Sequence, residues 1–291
     1  MVASYVAKLL LLVALLRCGA KLGADALSMD YYMMSCPFMD QMVRSTVYQA
    51  LRRDPTLAAA LLRLHFHDCF VQGCDASVLI DSTEDNTAEK DSPANLSLRG
   101  YEVIDRAKQL IEDQCPGVDG RRSRIEDTIN LPPPTLNVTA LVRMFGQHGF
   151  DAQELVALSG AHTLGAASCA SFKNRLSNFD TADGVDPTLD TGMARTLWRA
   201  CAAGDGSRVP FDRSSYTFDN GYFNALQRGL GLLSSDQALF ADPRTRPVVN
   251  AYAMNDAMFF LDFQQAILKM GLLDVKEGGR GEVRRDCRRV N

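Results

Sequence analysis

The stretch Arg63-Leu64-His65-Phe66-His67-Asp68-Cys69-Phe70-Val71-Gln72-Gly73-Cys74-Asp75-Ala76-Ser77 decides how this chain is read. It closes an alanine- and leucine-rich run that starts after Pro55. The pattern predicts a helix over Thr56–Phe70 with Thr56 as N-cap. On such a helix Arg63 and His67, four residues apart, share a face, and Phe66 lies beside them. A fixed cation next to a neutral imidazole suits peroxide heterolysis. The ring takes a proton from one oxygen and returns it to the other. The guanidinium stabilises the charge growing on the departing oxygen. Beyond the helix, Cys69 and Cys74 bracket a short loop rich in oxygen donors: Asp68, Asp75, Ser77 and the carbonyls of Val71 and Gly73. That set suits a hard cation, calcium above all. A lone helical histidine is ordinarily packed or solvated, and His65 is read that way. His-x-His-Asp-Cys also admits zinc, but an arginine on the same face argues against a cation there, and Cys69 has a disulfide partner close by.

Outward from this segment, helical periodicity dominates and strand alternation is scarce. It predicts helices over 38–53, 100–114, 139–148, 151–158, 161–176, 188–202, 220–228, 243–255 and 256–270. In Gly100–Gln114, Val103, Ala107, Leu110 and Ile111 fall on one face. Pro132-Pro133-Pro134 marks a rigid loop. No internal repeat is present. The Arg-rich tail, Arg280 to Arg289, is read as a solvated surface run.

With 291 residues, 46% of them hydrophobic, the chain can bury a large core in one domain or two fused lobes. A net charge of −4 gives no reason to expect nucleic acid or an anionic membrane as partner. Met1 to Ala26 reads as a secretory signal peptide: Lys8, the apolar run Leu9–Leu16, then the small-x-small site Ala24-Asp25-Ala26. Arg17 and Lys21 break that run below the length of a membrane span. No other segment is long and apolar enough to cross a bilayer, so the mature domain, 27–291, is expected to be soluble and monomeric. Seven cysteines follow the leader, an odd number in an oxidising compartment, so one is free or pairs with another chain. Asn95-Leu96-Ser97 and Asn137-Val138-Thr139 are glycosylation sequons.

The 63–77 segment resembles the distal helix of the class III haem peroxidases, the secreted plant peroxidases. The resemblance implies a mainly α fold of two helical lobes that sandwich haem b, with two calcium ions. Arg63 and His67 match the distal catalytic pair, charge stabiliser and proton acceptor, and Phe66 the aromatic residue over the haem. Asp68, Val71, Gly73, Asp75 and Ser77 match the distal calcium ligands, with Glu89 counted at that site. Glu89 and Asn95 match the relay that holds His67 in its proton-accepting tautomer. Leu158-Ser159-Gly160-Ala161-His162-Thr163-Leu164-Gly165 resembles the proximal motif, which makes His162 the axial iron ligand. Ser235-Asp236-Gln237 matches the segment whose aspartate accepts the proximal N–H, so Asp236 is the candidate. Thr163, Asp212, Ser215, Thr217 and Asp219 match the second calcium site. Its loop is one residue short, which leaves Ser215 against Ser214 open. Pro132 matches a residue near the donor entrance. The implied substrates are hydrogen peroxide and small phenolic donors oxidised in one-electron steps, outside the cell, in the wall or in the vacuole.

The match has one gap. In the family, Cys-Pro-Gly-Val is followed by a helix that opens with a cysteine, then a loop ending in Gly-Arg-Arg-Asp. Here Cys115-Pro116-Gly117-Val118 runs into Asp119-Gly120-Arg121-Arg122-Ser123, so about one helix and its loop are absent. The resemblance pairs Cys36–Cys115, Cys69–Cys74 and Cys169–Cys201. It leaves Cys287 without its partner, which sits in the missing helix. A lost helix and a lost disulfide together weigh against a stability of about 5–15 kcal/mol. The rival reading is therefore a secreted, non-catalytic remnant that binds haem or calcium.

Overall fold

The computed structural model describes residues 34–115, 128, 130–177, 179, 181, 184–274, 284 and 286–289. The leader Met1–Ala26, the junction 118–122 and most of the Arg-rich tail lie outside the described residues. Met34–Pro37 is a turn in which Cys36 is buried.

The described residues from Phe38 onward are mainly helical, as the periodicity predicts. The helices are α1 (Met39–Arg53), α2 (Leu57–Gln72), α3 (Tyr101–Gln114), α4 (Val138–Gln147), α5 (Ala152–Ser159), α6 (Asn174–Ser177), α7 (Thr191–Ala200), α8 (Gly221–Gln227), α9 (Ser234–Ala241), α10 (Arg246–Met254) and α11 (Asp256–Met270). Side chains satisfy the orphan amides at several starts. Asn137 accepts from Ala140, Asp190 from Met193 and Asn255 from Met258. At α5, Asp151 and Glu154 form a reciprocal capping box. At α2 the expected cap changes hands. Thr56 is already helical and makes no side-chain cap, while Asp54 accepts the Thr56 amide at 2.9 Å.

One predicted helix does not form. In place of a continuous 161–176 helix the chain makes a 3-10 turn, Gly160–Thr163, then strand β1 (Ala166–Ser168), a second 3-10 turn and the short α6. Gly165, at φ +86°, takes the chain out of helical geometry. β1 then pairs antiparallel with β2 (Arg208–Pro210), Ala167 opposite Val209. The ribbon continues in Gly165 N–H to Ser215 O at 2.8 Å and Phe211 N–H to Gly165 O at 3.2 Å. Tertiary pairing overrides the alanine-rich helical pattern here.

The largest core cluster gathers Phe70 of α2, Phe145 of α4, Val156 of α5, Tyr222 and Phe223 of α8, Tyr252 of α10 and Phe259 of α11, all buried. Each such side chain contributes on the order of 1.5–3 kcal/mol by leaving water. A second cluster, with Phe172, Leu176, Leu197 and Leu232, packs around the ribbon. A third, with Leu64, Val78 and Leu98, sits under α3 and touches Cys287. Between α1 and α3 runs an open groove of about 860 Å³ lined in part by Met42, Thr46, Leu57, Val103 and Leu110.

Candidate active site

Arg63 and His67 meet as the helical spacing predicts. Arg63 Nε donates to His67 Nε2 at 3.1 Å, and its two terminal nitrogens donate to Ser97 Oγ at 2.8 Å and Ala94 O at 2.9 Å. His67 is buried, and its Nδ1 lies 2.7 Å from Asn95 Oδ1. Asn95 Nδ2 donates to Glu89 O at 2.8 Å, which fixes the amide orientation. Asn95 Oδ1 can only accept and Arg63 Nε can only donate, so Nδ1 carries the proton and Nε2 presents its lone pair. Burial, together with the Arg63 charge, pulls the His67 pKa down to about 4, against the opposing pull of the Asn95 bond. At neutral pH the ring is therefore a free base beside a cation. Asn95 is 1% exposed and committed on both ends of its amide, so the Asn95 sequon is not accessible for glycosylation. Asn137 is exposed and caps α4 through its oxygen. Phe66 stacks on Phe70 at 4.6 Å and meets the His67 ring edge-on at 6.1 Å.

The loop after α2 is tied behind this pair. Cys69–Cys74 is a disulfide. Gly73 stands at φ +93°, where a Cβ would lie 2.5 Å from Asp274 Cβ and 2.8 Å from Leu273 O. Only glycine fits both the conformation and the space. Asp75 Oδ1 accepts Ser77 N–H at 2.9 Å, and Ser77 Oγ donates to Glu89 Oε1 at 2.9 Å. Asp68 Oδ1 is buried with no hydrogen-bond partner among the described residues. Burial, then the nearby Asp75 and Glu89 charges, raises its pKa well above the usual carboxylate range. An orphaned carboxylate oxygen among like charges is what a bound cation would satisfy. No group of three or more His, Cys, Asp or Glu in metal-holding geometry occurs among the described residues. The expected distal set has three carboxylates, Asp68, Asp75 and Glu89, with a hydroxyl and carbonyls for the rest, and Glu89 is engaged by Ser77 Oγ.

On the other side of the sequence, His162 sits in the 3-10 turn after α5. Its Nδ1 lies 2.8 Å from Asp236 Oδ1, and Phe211 stacks on the ring at 4.4 Å with an interplanar angle of 4°. The imidazole is 36% exposed, and Nε2 makes no hydrogen bond among the described residues. That leaves Nε2 as an available ligand atom, oriented from behind by a carboxylate. Asp236 is nearly buried and accepts two further bonds, from Tyr222 OH at 3.0 Å and Leu233 N–H at 3.1 Å. Pro132 lies in the loop whose Pro134 carbonyl accepts Ser235 N–H at 2.9 Å, one residue before Asp236.

The second oxygen cluster adjoins His162. Thr163 Oγ1 donates to Asp212 Oδ2 at 2.6 Å and lies 3.1 Å from Asp219 Oδ1. Burial, together with the Asp219 charge, raises the Asp212 pKa, against bonds from Thr163 and Ser214. Of the two serines, Ser214 reaches the carboxylates: its Oγ is 3.2 Å from Asp212 Oδ1 and stands near both aspartates around Gly221. Ser215 Oγ bonds Asp212 O at 3.4 Å and no carboxylate among the described residues. Thr217 is exposed, and its N–H donates to Ser214 O at 2.6 Å. The cysteines fall as expected where both partners are seen: Cys169–Cys201 is bonded, neither Cys36 nor Cys115 is free, and Cys287 is a free thiol. Phe211, Tyr222, Ser97 and the Leu233 amide were not signalled by the sequence. They reach the site from turns whose placement depends on the tertiary fold.

A free-base imidazole held beside a guanidinium, and a second imidazole backed by a buried carboxylate, are the two halves of a plant-type haem peroxidase. The family description Peroxidase matches residues 43–118 and 117–255, and the chain belongs to this family, in its class III plant branch. It is 55% identical to Peroxidase 47 of Arabidopsis thaliana over 303 aligned positions, covering 94% of this chain and 91% of that protein. It is 42% identical to Peroxidase 64 of Arabidopsis thaliana, over 91% and 93% of the two chains, and 42% identical to Peroxidase 5 of Vitis vinifera, over 91% and 92%. The family match breaks at 117–118, where the sequence reading places the missing helix. Since 303 aligned positions draw on only 94% of 291 residues, about thirty positions of Peroxidase 47 have no counterpart here.

Proposed function

We propose that the chain reduces hydrogen peroxide and oxidises small phenolic donors, with His67 as proton acceptor and donor, Arg63 as charge stabiliser and His162 as the iron ligand. The observation that carries this reading is the His67 environment. A buried imidazole keeps its Nε2 lone pair at neutral pH, with a guanidinium 3.1 Å away. Haem fits the residues present: His162 offers an unbonded Nε2 and is held from behind by Asp236. When bound, haem supplies the iron and porphyrin oxidation chemistry. His67 Nε2 takes the proton from one peroxide oxygen and returns it to the other, which leaves as water. Arg63, positioned by Ser97 and Ala94, stabilises the negative charge on the departing oxygen. Asn95 keeps the His67 proton on Nδ1 throughout.

Calcium fits the Asp68, Val71, Gly73, Asp75 and Ser77 loop with Glu89 beside it, a reading supported by the orphaned Asp68 oxygen. A second ion fits Thr163, Asp212, Ser214 and Asp219. The disulfides and the leader Met1–Ala26 support export, to the cell wall or vacuole.

The test is the purified mature chain loaded with haem and calcium. A Soret spectrum and guaiacol oxidation are expected. His67→Ala should lower turnover about 10²–10⁴-fold while haem stays bound. His162→Ala should lose the axial ligand, read in the spectrum. Haem uptake without any turnover in the parent would favour the non-catalytic remnant.

A further inference from the structure

Asp236 Oδ1 is shared by two donors. His162 Nδ1 reaches it at 2.8 Å and the Tyr222 hydroxyl at 3.0 Å, while among the described residues Oδ2 takes only the Leu233 amide. Tyr222 is 1% exposed, on α8, and its hydroxyl makes no other hydrogen bond among the described residues. Its ring is fixed edge-on against Phe223 at 5.0 Å and against His162 at 6.0 Å. The hydroxyl therefore has one available direction, toward the oxygen that also holds His162.

We propose that Tyr222 is a positioning residue that sets how strongly Asp236 pulls on the His162 N–H. This rests on the reading of His162 as the iron ligand. The physical argument is competition at a single oxygen. Each donor withdraws charge from the carboxylate, so a bond to one weakens the bond to the other. A phenol is a far stronger acid than a neutral imidazole N–H and takes the larger share. In a dry environment that share is not diluted by water. Tyr222 thus restrains the imidazolate character of His162, and with it the electron density the ring passes to a metal. Leu233, bonded to the other oxygen, keeps the carboxylate from rotating away from this arrangement.

The test compares Tyr222→Phe and 3-fluorotyrosine at position 222 with the parent, in the full chain with and without haem. Fluorination makes the hydroxyl a stronger donor, so the two variants should move the readouts in opposite directions. With Tyr222→Phe, the iron–imidazole stretching frequency of the ferrous protein should rise. The Fe(III)/Fe(II) midpoint should become more negative. In the haem-free chain the His162 Nδ1–H proton resonance should move downfield. With 3-fluorotyrosine each should shift the other way. Unchanged positions in a folded variant, or shifts of the same sign in both, overturn the proposal. If Tyr222→Phe does not fold, the near-isosteric fluorotyrosine decides alone. If iron does not bind through His162, the functional reading fails, yet the haem-free resonance still reports whether Tyr222 tunes the pair.

Discussion

His67 owes its chemistry to three neighbours from three parts of the chain: Arg63 on its own helix, Asn95 in the following loop, and Glu89 behind Asn95. Its folded pKa, about 4, lies below the 6.5 of a free imidazole. Between those values the unfolded chain binds the extra proton. This residue's contribution to stability is thus complete above pH 6.5 and lost as pH falls toward 4, on the order of 3 kcal/mol in all. Peroxidase turnover should hold down to about pH 4 and fall below it, as a pH–rate profile would show. Asn95→Val should shift that limb and cost activity about 10–100-fold, the scale for losing a partner that orients a histidine. A different residue-scale case is Arg175, fully buried and paired with Asp186 at 2.7 Å. It also donates to the carbonyls of Leu232 at 3.1 Å and Leu233 at 3.3 Å. Arg175→Met should cost about 3–5 kcal/mol in urea unfolding, because Asp186 is left as an uncompensated buried charge. Replacing both partners by apolar residues should recover much of that loss.

At the scale of elements, α2 was legible because its Arg63/His67 spacing and its apolar body agree with one period. The region after His162 was not. Its alanines and leucines suit a helix, and only the pairing of β1 with β2, more than forty residues on, makes it a ribbon. Gly165 shows the constraint. At φ +86° any side chain is strained, and a Cβ would come 2.8 Å from Ala59 Cβ. Gly165→Ala should destabilise by about 1–3 kcal/mol in denaturant unfolding. The loop from Asp68 to Ser77 offers a second measurement. Its buried carboxylates repel one another without a cation, so chelating calcium should lower Tm, and more at pH 7 than at pH 4, where acid neutralises them. An equal Tm with and without chelator would remove calcium from the site.

For the whole molecule, the junction at Val118 matters most. About thirty positions of Peroxidase 47 have no counterpart in this chain, the family match breaks at 117–118, and Cys287 remains a half-buried thiol packed against the cluster of Leu64, Val78, Leu79 and Leu98. Burial, with Asp105 nearby, raises its pKa, so the folded protein should react slowly with a thiol reagent. One thiol per mature chain, 27–291, should titrate after unfolding. A chimera carrying the Peroxidase 47 segment at 117–118 should lose that thiol if its added cysteine closes a disulfide with Cys287. It should then gain about 2–5 kcal/mol from that bond alone. The same comparison reports whether the groove along α1 and α3 is a consequence of the shortened chain, since filling it would protect Leu57, Val103 and Leu110 from exchange.

The sequence by itself determined the helical class, the Arg63/His67 pair, the Cys69–Cys74 bridge and the odd cysteine, while its resemblance to the family supplied the Cys169–Cys201 pairing and the expected place of a missing segment. The first four are matters of local period, short spacing or counting. Tertiary structure alone decided that Asn95 is buried against His67, that Ser214 faces the proximal aspartates, and that Phe211 and Tyr222 close around His162 and Asp236. The contacts of Asn95 with His67, of Tyr222 with Asp236 and of Asp236 with His162 join residues from 14 to 74 positions apart. No local pattern encodes such distances, and only the packing of the helices around a common core brings them within hydrogen-bonding reach.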